Sequence, residues 1–152
     1  MTVMMLAEPD TQPGGEWRPE PAPWPAPQAG RRRILLVEDD GFVRGYVARL
    51  LTETGYDVVT ATDGAEALLV ALGASDFDLV ITDIRMPVMD GRELGARLRA
   101  ERPELPLIYL SGYDTAVETL PLPPGRGQVG FLAKPFEAAA LLGRVYALLG
   151  PP

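Results

Sequence analysis

Five short apolar runs, each bounded by polar or turn-forming residues, constrain the fold of this chain more than any other feature. The clearest is Leu79-Val80-Ile81-Thr82, which ends at Asp83 and leads into a proline and an Asp-Gly turn signal. A β-branched run bounded in this way is typical of a buried strand that runs into a loop. The other four runs lie at 34–37, 58–61, 107–110 and 129–133. The sequence therefore predicts five strands.

Segments with the periodicity of amphipathic helices separate these strands. Asp40 is the expected N-cap of the first helix, in which Val43, Val47 and Leu51 recur at helical spacing, and Gly55 gives the stop signal. The later helices are predicted from the capping box Asp63-Gly64-Ala65-Glu66 to Leu72, from Gly91 to Ala100 and from Glu137 to Leu149.

The unit between the fourth and fifth strands is weaker. Asp114 to Leu120 has room for about two helical turns, but Pro121, Pro123 and Pro124 stop a longer helix. Alternation of strands and helices implies a parallel sheet with helices on both faces and right-handed crossovers. We therefore expect an α/β fold of the (βα)5 type, doubly wound in the strand order 2-1-3-4-5, with a short or irregular fourth helix.

Composition narrows the chemistry that this sheet can carry. The chain has 152 residues, no cysteine and no histidine, which excludes disulfides, thiolate metal sites and the commonest general base. Its net charge of −7 argues against a nucleic-acid partner, and Arg31-Arg32-Arg33 is interpreted as a solvated strand entrance more than as a phosphate-binding patch. No apolar run is long enough for a membrane span or a signal peptide, so we expect a cytoplasmic protein without a membrane partner.

Residues 1–30 differ from the rest of the chain in composition. They contain seven prolines and three glycines, and the stretch from Glu20 to Pro27 is expected to be extended and without a core. The sequence predicts a disordered leader at 1–30 and a folded domain at 31–150. We interpret Trp17 and Trp24 as residues of an ordinary linker. The alternative is that they form a docking motif for a partner.

Polar residues follow four of the predicted strands and define the expected site. They are Glu38-Asp39, Asp83, Ser111 and Lys134, of which Lys134 is the only lysine in the chain. In a parallel sheet the carboxyl ends of the strands share one edge, and the expected strand order makes strands one and three neighbours at the switch point. Glu38 and Asp39 should therefore lie beside Asp83.

Three carboxylates this close repel one another, and a divalent cation removes the conflict. Oxygen ligands without histidine or cysteine favour Mg²⁺ or Mn²⁺ over zinc. Asp83 is a candidate phosphoryl acceptor because carboxylates form acyl phosphates, while Ser111 and Lys134 can each contact a phosphoryl oxygen. Each residue alone also fits a helix cap, a turn or solvated charge, but their occurrence at successive strand ends favours the functional interpretation.

At these residues the chain resembles the receiver domain of two-component response regulators. The resemblance covers about Arg31 to Gly150 and rests on four motifs that occur in the family's order and spacing. It implies a flavodoxin-like fold and the transfer of a phosphoryl group to Asp83 from a histidine kinase or a histidine phosphotransfer protein. The motifs are Val37-Glu38-Asp39-Asp40, Asp83 through Met86-Pro87-Val88-Met89-Asp90-Gly91, Ser111-Gly112 and Lys134-Pro135-Phe136.

The resemblance also implies individual roles. Ser111 and Lys134 match the phosphate-sensing hydroxyl and lysine of the family, and the peptide bond after Lys134 is cis in the family. Phe131 matches the aromatic residue that fills the space vacated when Ser111 moves toward the phosphate, with a plain core aromatic as the alternative. The implied Mg²⁺ ligands are Glu38, Asp39, Asp83 and the backbone carbonyl of Arg85.

The proline-rich stretch at 121–125 departs from the family pattern, in which the fourth helix forms an output and dimer surface. In this region the chain is similar to the receivers of hybrid histidine kinases. Because the chain stops at Pro152, we expect a stand-alone receiver without an output domain, a monomer or weak dimer that signals by protein contact. It is not expected to be an enzyme, apart from slow autodephosphorylation.

Two alternatives stay open. One is an Mg²⁺-dependent phosphohydrolase with an aspartyl nucleophile, for which Arg85 replaces the second carboxylate, and the other is a phosphorylation-independent scaffold.

Overall fold

The computed structural model of the chain describes residues 30–73, 77–112 and 123–152. All five predicted strands are present there, together with the four helices predicted within these ranges, and their ends lie within a residue or two of the expected ones. The predicted leader up to residue 29, with its two tryptophans, and the predicted short helix at 114–120 lie outside the described residues. The elements are β1 Arg33–Val37, α1 Gly41–Thr54, β2 Asp57–Ala61, α2 Gly64–Gly73, β3 Leu79–Asp83, α3 Gly91–Glu101, β4 Leu107–Ser111, β5 Val129–Ala133 and α4 Ala138–Leu149.

The five strands form one parallel sheet in the order β2-β1-β3-β4-β5, which confirms the predicted fold class. The register aligns the strand ends, since Asp83 of β3 pairs with Leu110 of β4 and Ser111 of β4 pairs with Ala133 of β5. The residues that end or follow β1, β3, β4 and β5 therefore lie at one edge of the sheet, which we call the carboxyl edge.

Two apolar cores cover the two faces of the sheet. In β1, Ile34 and Leu36 belong to the core that contains residues of α1 and α4, whereas Leu35 and Val37 belong to the core that contains residues of α2 and α3. Every residue of β1, β3 and β4 is buried, which explains why these strands are continuous apolar runs. In the described parts of the chain, no helix has the length and apolar character needed to cross a membrane.

Local hydrogen bonds fix the helix ends near the carboxyl edge. At the start of α1, the carboxylate of Asp40 accepts from the amide of Phe42 at 2.8 Å. The other end of α1 lies at the opposite edge of the sheet, where Gly55 is the C-cap with a φ of 119°. At the start of α2, the carboxylate of Asp63 accepts from the amide of Glu66 at 2.8 Å. These caps hold the loops that follow β1 and β2 in a defined conformation.

The opposite edge, which we call the amino edge, holds buried charges of its own. The guanidinium of Arg33 lies 3.5 Å from the carboxylate of Asp57 and 4.9 Å from the centre of the Phe77 ring. Both charged side chains are less than a tenth exposed. Arg99 is also buried, and it donates to the carbonyl of Gly127 at 2.6 Å. These contacts connect β1 to β2 and to the segment before β3, and they connect α3 to the segment before β5.

Candidate functional site

The loop after β1 supplies the first two carboxylates of the site. Glu38 is fully buried, and its carboxylate accepts a hydrogen bond from the amide of Asp40 at 3.1 Å. Arg44, in the first turn of α1, donates to the carbonyl of Glu38 at 2.9 Å and so ties the helix to the loop. Asp39 is exposed. One of the two adjacent carboxylates is therefore fixed inside the protein, and the other faces solvent.

Asp83 is placed by a close approach between the end of β3 and the start of α3. A Cβ atom on Gly91 would overlap the carbonyl oxygen of Asp83, and the amide of Gly91 donates to the carbonyl of Ile84 at 2.7 Å. Only glycine permits this contact without displacing the strand end. The side chain of Asp83 is 11% exposed, so it is held firmly but can still be reached from solvent.

The loop between β3 and α3 also contains a strained turn. Val88 has a φ of 73° and is 85% exposed. The amide of Met89 donates to the carbonyl of Pro87 at 2.8 Å, which closes a γ-turn centred on Val88. A β-branched residue seldom adopts a positive φ. Met89 is mostly buried and packs against Gly64, at the start of α2, so neighbouring contacts hold the turn in place.

Ser111 and Lys134 occupy the ends of β4 and β5. Ser111 is buried, and its carbonyl accepts from the amide of Lys134 at 2.7 Å. The peptide bond between Lys134 and Pro135 is cis, as the family resemblance implied. The two strand ends are therefore held side by side, with the lysine side chain free to reach back toward β1 and β3.

The charged side chains converge as the sequence predicts. Oxygens of Glu38, Asp39 and Asp83 all lie within 4.8 Å of one another. The Nζ atom of Lys134 lies 2.7 Å from Oε1 of Glu38 and 3.2 Å from Oδ2 of Asp83. These four side chains together carry net negative charge, and all the acidic donors are hard oxygens. The donor set therefore fits Mg²⁺, with which carboxylate oxygens pair readily.

The pKa values of the site reflect competition between burial and charge. Burial raises the pKa of Glu38 to about 7, against the hydrogen bonds from Lys134 and the Asp40 amide, and the charge of Asp83 adds to the rise. Burial also opposes the charged form of Lys134, but the hydrogen bond and charge of Glu38, with the charge of Asp83, outweigh it and raise the pKa of Lys134. Glu38 is thus a carboxyl group that a bound cation would help to ionise.

The other two predicted site residues are Arg85, after β3, and Phe131, in β5. Arg85 is exposed in the loop after β3, and the role of its backbone carbonyl stays a prediction. Phe131 is half-buried in β5 and contacts Tyr109 of β4, with ring centres 5.5 Å apart and ring planes tilted by 30°. Burial raises the pKa of Tyr109 to about 12. The switch role of Phe131 also stays a prediction.

Sequence reasoning missed several contacts that shape the site. Tyr109 was the available partner for Phe131, since the two residues occupy equivalent positions of neighbouring strands. Gly64 and Gly91 each follow an aspartate at the start of a helix, and that Asp-Gly pairing was a usable signal for close backbone contact. The sequence gave no sign that Arg44 would contact the carbonyl of Glu38, because arginine is common on helices.

The fold and the acidic cluster together define a class of protein. A family model for the response regulator receiver domain matches residues 34–146. The chain therefore belongs to the response regulator receiver domain family of two-component systems. Members of this family are phosphoacceptor signalling modules that bind Mg²⁺ in an acidic pocket, and the cluster of Glu38, Asp39 and Asp83 provides such a pocket here.

Curated relatives include both response regulators and sensor kinases. The chain is 41% identical over 116 residues to the response regulator protein FleR of Pseudomonas aeruginosa, a match that covers 74% of this chain and 24% of FleR. It is 38% identical over 125 residues to the sensor kinase CckA of Brucella abortus, which covers 80% of this chain and 13% of the kinase. The chain thus spans a quarter or less of the length of these two relatives.

Solved structures show the same fold. The chemotaxis protein CheY4 of Vibrio cholerae, crystallised at low pH, superposes with a TM-score of 0.68 at 32% identity, covering 79% of this chain and all of CheY4. The receiver domain of the hybrid histidine kinase CckA superposes with a TM-score of 0.64 at 40% identity, covering 77% of this chain and 98% of that domain.

Proposed function

We propose that Asp83 accepts a phosphoryl group from a phosphohistidine on a histidine kinase or a histidine phosphotransfer protein. The observation that carries the proposal is the position of Asp83, whose carboxylate lies 3.2 Å from the ammonium group of Lys134 and within 4.8 Å of two further carboxylates. A carboxylate in this setting is fixed, partly exposed and close to groups that contact phosphoryl oxygens. Membership of a phosphoacceptor family supports the same role.

The proposed step exchanges one bond to phosphorus for another. An oxygen of Asp83 attacks in line, a P–O bond forms, and the P–N bond to the donor imidazole breaks. The products are an acyl phosphate on Asp83 and a free histidine on the donor. Lys134 pairs with a phosphoryl oxygen as the transfer proceeds, and the hydroxyl of Ser111 donates to another.

The same pocket would hold the cation. Glu38, Asp39 and Asp83 would bind Mg²⁺, or Mn²⁺, through their carboxylates, together with the backbone carbonyl of Arg85. When bound, the cation supplies positive charge that neutralises the phosphoryl oxygens. The raised pKa of Glu38 supports this assignment, since an acid buried beside another carboxylate gains most from a compensating charge.

We further propose that Ser111 and Phe131 convert phosphorylation into a surface change. The acyl phosphate adds nearly two negative charges and strong acceptor oxygens. Movement of the Ser111 hydroxyl toward the phosphate vacates space next to Tyr109 and Phe131, and Phe131 turns inward. The half-buried position of Phe131 and its contact with Tyr109 support this movement.

Labelling with a small phosphoryl donor tests the acceptor role. Incubation with acetyl phosphate and MgCl2 should add the mass of one phosphoryl group to the intact chain, and peptide mapping should place it on Asp83. Phosphoramidate, whose P–N bond resembles that of phosphohistidine, should give the same adduct. Asp83→Asn and an excess of EDTA should each abolish it.

Asp90→Asn is the matched control, because Asp90 lies in the same loop but caps α3 instead of facing the cluster. It should keep its labelling. An adduct that maps to another residue, or that persists in Asp83→Asn, would contradict the proposal. Continuous release of inorganic phosphate from generic phosphomonoesters would instead identify a phosphohydrolase.

Nuclear magnetic resonance tests the switch. Addition of beryllofluoride, which mimics a phosphoryl group, should shift the ring signals of Tyr109 and Phe131 in the wild-type chain. In Ser111→Ala the ring shifts should be largely lost although beryllofluoride still binds. Equal ring shifts in both chains would show that Phe131 is a core residue without a switch role.

A further inference from the structure

An aromatic groove borders the acidic pocket and is not used by the proposed chemistry. A cavity of about 420 Å³ opens between the start of α1 and the loop that joins β5 to α4. Phe42, Tyr46, Pro135 and Phe136 line it, and its margin reaches Lys134. We call this feature the aromatic groove. Its volume lies within the range of cavities that bind small molecules or single side chains.

The residues of the aromatic groove are unusually exposed for their type. Phe42 is 93% exposed and Tyr46, one turn further along α1, is 51% exposed. Two exposed rings around one cavity mark an interaction surface. Leu69 and Leu72 of α2 are exposed as well, but they do not line this cavity.

The chain itself contains a segment with matching chemistry. From residue 17 to residue 27 the sequence reads WRPEPAPWPAP, with a proline at every second position from Pro19 to Pro27. A chain with this proline spacing lacks alternate backbone donors and cannot join a helix or a sheet ladder. Extended proline-rich segments dock in grooves lined by aromatic side chains, since they lose little conformational entropy on binding. Trp24, flanked by two prolines, is the natural side chain to fill the cavity.

The leader is long enough to reach the aromatic groove. Gly30 lies three residues before β1, at the amino edge, whereas the groove lies at the carboxyl edge. The five residues of β1 span about 16 Å. The nine steps from Trp24 to Arg33 span about 28 Å in an extended proline-rich chain. The number of residues between Trp24 and β1 is therefore sufficient for Trp24 to reach the groove.

We propose that residues 17–27 of the same chain dock in the aromatic groove, with the indole of Trp24 in the cavity and its flanking prolines against Phe42 and Tyr46. The occupant is thus an intramolecular segment that lies at the margin of the acidic pocket, next to Lys134. This inference goes beyond the proposed function, since docking needs no phosphoryl group and no cation.

Tryptophan fluorescence of the full chain tests the proposal directly. Both tryptophans of the chain, Trp17 and Trp24, lie in the leader, so the emission reports only on that segment. Compared with a free peptide of residues 15–29, the full chain should show a blue-shifted emission maximum and a several-fold lower quenching constant with acrylamide. Phe42→Ser and Tyr46→Ser should each move both values toward those of the peptide.

Tyr146→Ser is the matched control, because Tyr146 is an aromatic residue of α4 that is 59% exposed and lies outside the aromatic groove. It should leave both values unchanged, and circular dichroism should show that all three variants are folded. Emission like that of the peptide, or a blue shift that the groove variants do not reduce, would overturn the proposal. A blue shift that disappears on dilution would show that the leader docks on a second copy, which also overturns the intramolecular assignment.

Disulfide trapping provides a second measurement, since the natural chain contains no cysteine. A chain with Ala26→Cys and Gly45→Cys keeps every ring of the groove, because Gly45 is the residue of α1 next to Tyr46 and has room for a side chain. It should form an intramolecular disulfide rapidly under mild oxidation. The matched chain with Ala26→Cys and Tyr146→Cys should react several-fold more slowly. Equal rates for the two chains would contradict docking in the groove.

Discussion

The two edges of the sheet both contain buried charges, but they balance them differently. At the amino edge, Arg33 and Asp57 form a pair of opposite charges, and Arg33 also lies over the Phe77 ring. At the carboxyl edge, Lys134 contacts Glu38 and Asp83, and the carboxylate of Asp39 lies beside them. The Arg33–Asp57 pair at the first edge has no surplus charge, whereas the cluster at the second edge has more negative than positive charge.

This difference separates charges that stabilise the fold from charges that bind a ligand. A buried pair contributes to the fold only while both partners are present. A cluster with surplus charge destabilises the free protein and is relieved when a cation binds. The carboxyl edge has this second character, because three carboxylates lie together there and Lys134 is the ammonium group that contacts two of them. Four predictions test the distinction, in order of decreasing effect.

The largest effect is expected at the amino edge. Asp57→Ala should lower the free energy of unfolding by about 3–5 kcal/mol, because it removes the buried carboxylate that lies 3.5 Å from the buried guanidinium of Arg33. Urea denaturation followed by circular dichroism measures the loss. Asp39→Ala, which removes an exposed carboxylate at the carboxyl edge, should change the unfolding free energy by no more than about 0.5 kcal/mol. Similar losses in the two variants would show that the edges do not differ.

Magnesium should stabilise the folded chain through the carboxyl edge. At a hundred times its dissociation constant, Mg²⁺ should raise the free energy of unfolding by about 2.7 kcal/mol. Asp83→Asn should lose most of this increment. In EDTA, however, it should be at least as stable as the wild type, because the substitution removes a charge that repels Glu38. Urea denaturation in MgCl2 and in EDTA measures both values. Asp57→Ala should keep the whole increment, and its loss there would contradict the assignment.

Two glycines provide a matched test of positioning. Gly91 contacts Asp83 at the carboxyl edge, whereas Gly125 packs against Pro103 near the amino edge with a φ of 102°. Substitution of either by alanine should cost about 1–3 kcal/mol through overlap. Only Gly91→Ala should also slow labelling by acetyl phosphate, on the order of 100-fold, because it displaces the end of β3. Gly143→Ala, at a helix position where an added Cβ would meet no atom beyond the helix's own backbone, should stabilise the chain by roughly 0.5–1 kcal/mol.

The smallest effect concerns a capping carboxylate close to the site. Burial opposes ionisation of Asp90, but the amide of Glu93 and the guanidinium of Arg92 outweigh it and lower its pKa. Because the folded-state pKa is depressed, the charge of Asp90 stabilises the fold above the unfolded pKa of about 3.9, and this contribution is lost as the pH falls through the folded pKa. At pH 7 the free energy of unfolding of the wild type should be higher than that of Asp90→Asn by less than about 1 kcal/mol.

Urea denaturation between pH 7 and pH 3 checks this prediction. Asparagine is also a good N-cap, so the two chains differ mainly in charge and should converge at the acid end of the range. A difference that stays constant with pH would show that the charge of Asp90 has no role in capping α3.

The sheet and the acidic cluster could be predicted because both follow from topology. Continuous apolar runs identify strands buried on both faces, and a parallel sheet sends their ends to one edge. Glu38, Asp39, Asp83 and Lys134 therefore met as expected. The roles of Arg85, Ser111 and Phe131 rest on finer geometry around a bound phosphoryl group, and they stay predictions.

The aromatic groove and the turn at Val88 could not be predicted for a different reason. Phe42 falls outside the predicted apolar stripe of α1, but the pattern does not show that its ring would be 93% exposed and line a cavity with the loop after β5. Valine at position 88 gave no sign of a positive φ, because residues with that conformation are mostly glycine or asparagine. Most large apolar residues of a folded domain are buried, and a sequence pattern predicts burial on that basis. Phe42 and Val88 are apolar residues that are exposed instead.

Val88 also suggests where the domain has room for improvement by engineering. A left-handed conformation costs an L-residue roughly 1–2 kcal/mol, whereas asparagine adopts it more readily than a β-branched residue does. The same side chain exposes a branched hydrocarbon to water. Asparagine would suit both the backbone and the solvent at this position, so Val88→Asn is the first substitution to make in search of a more heat-tolerant and less aggregation-prone form.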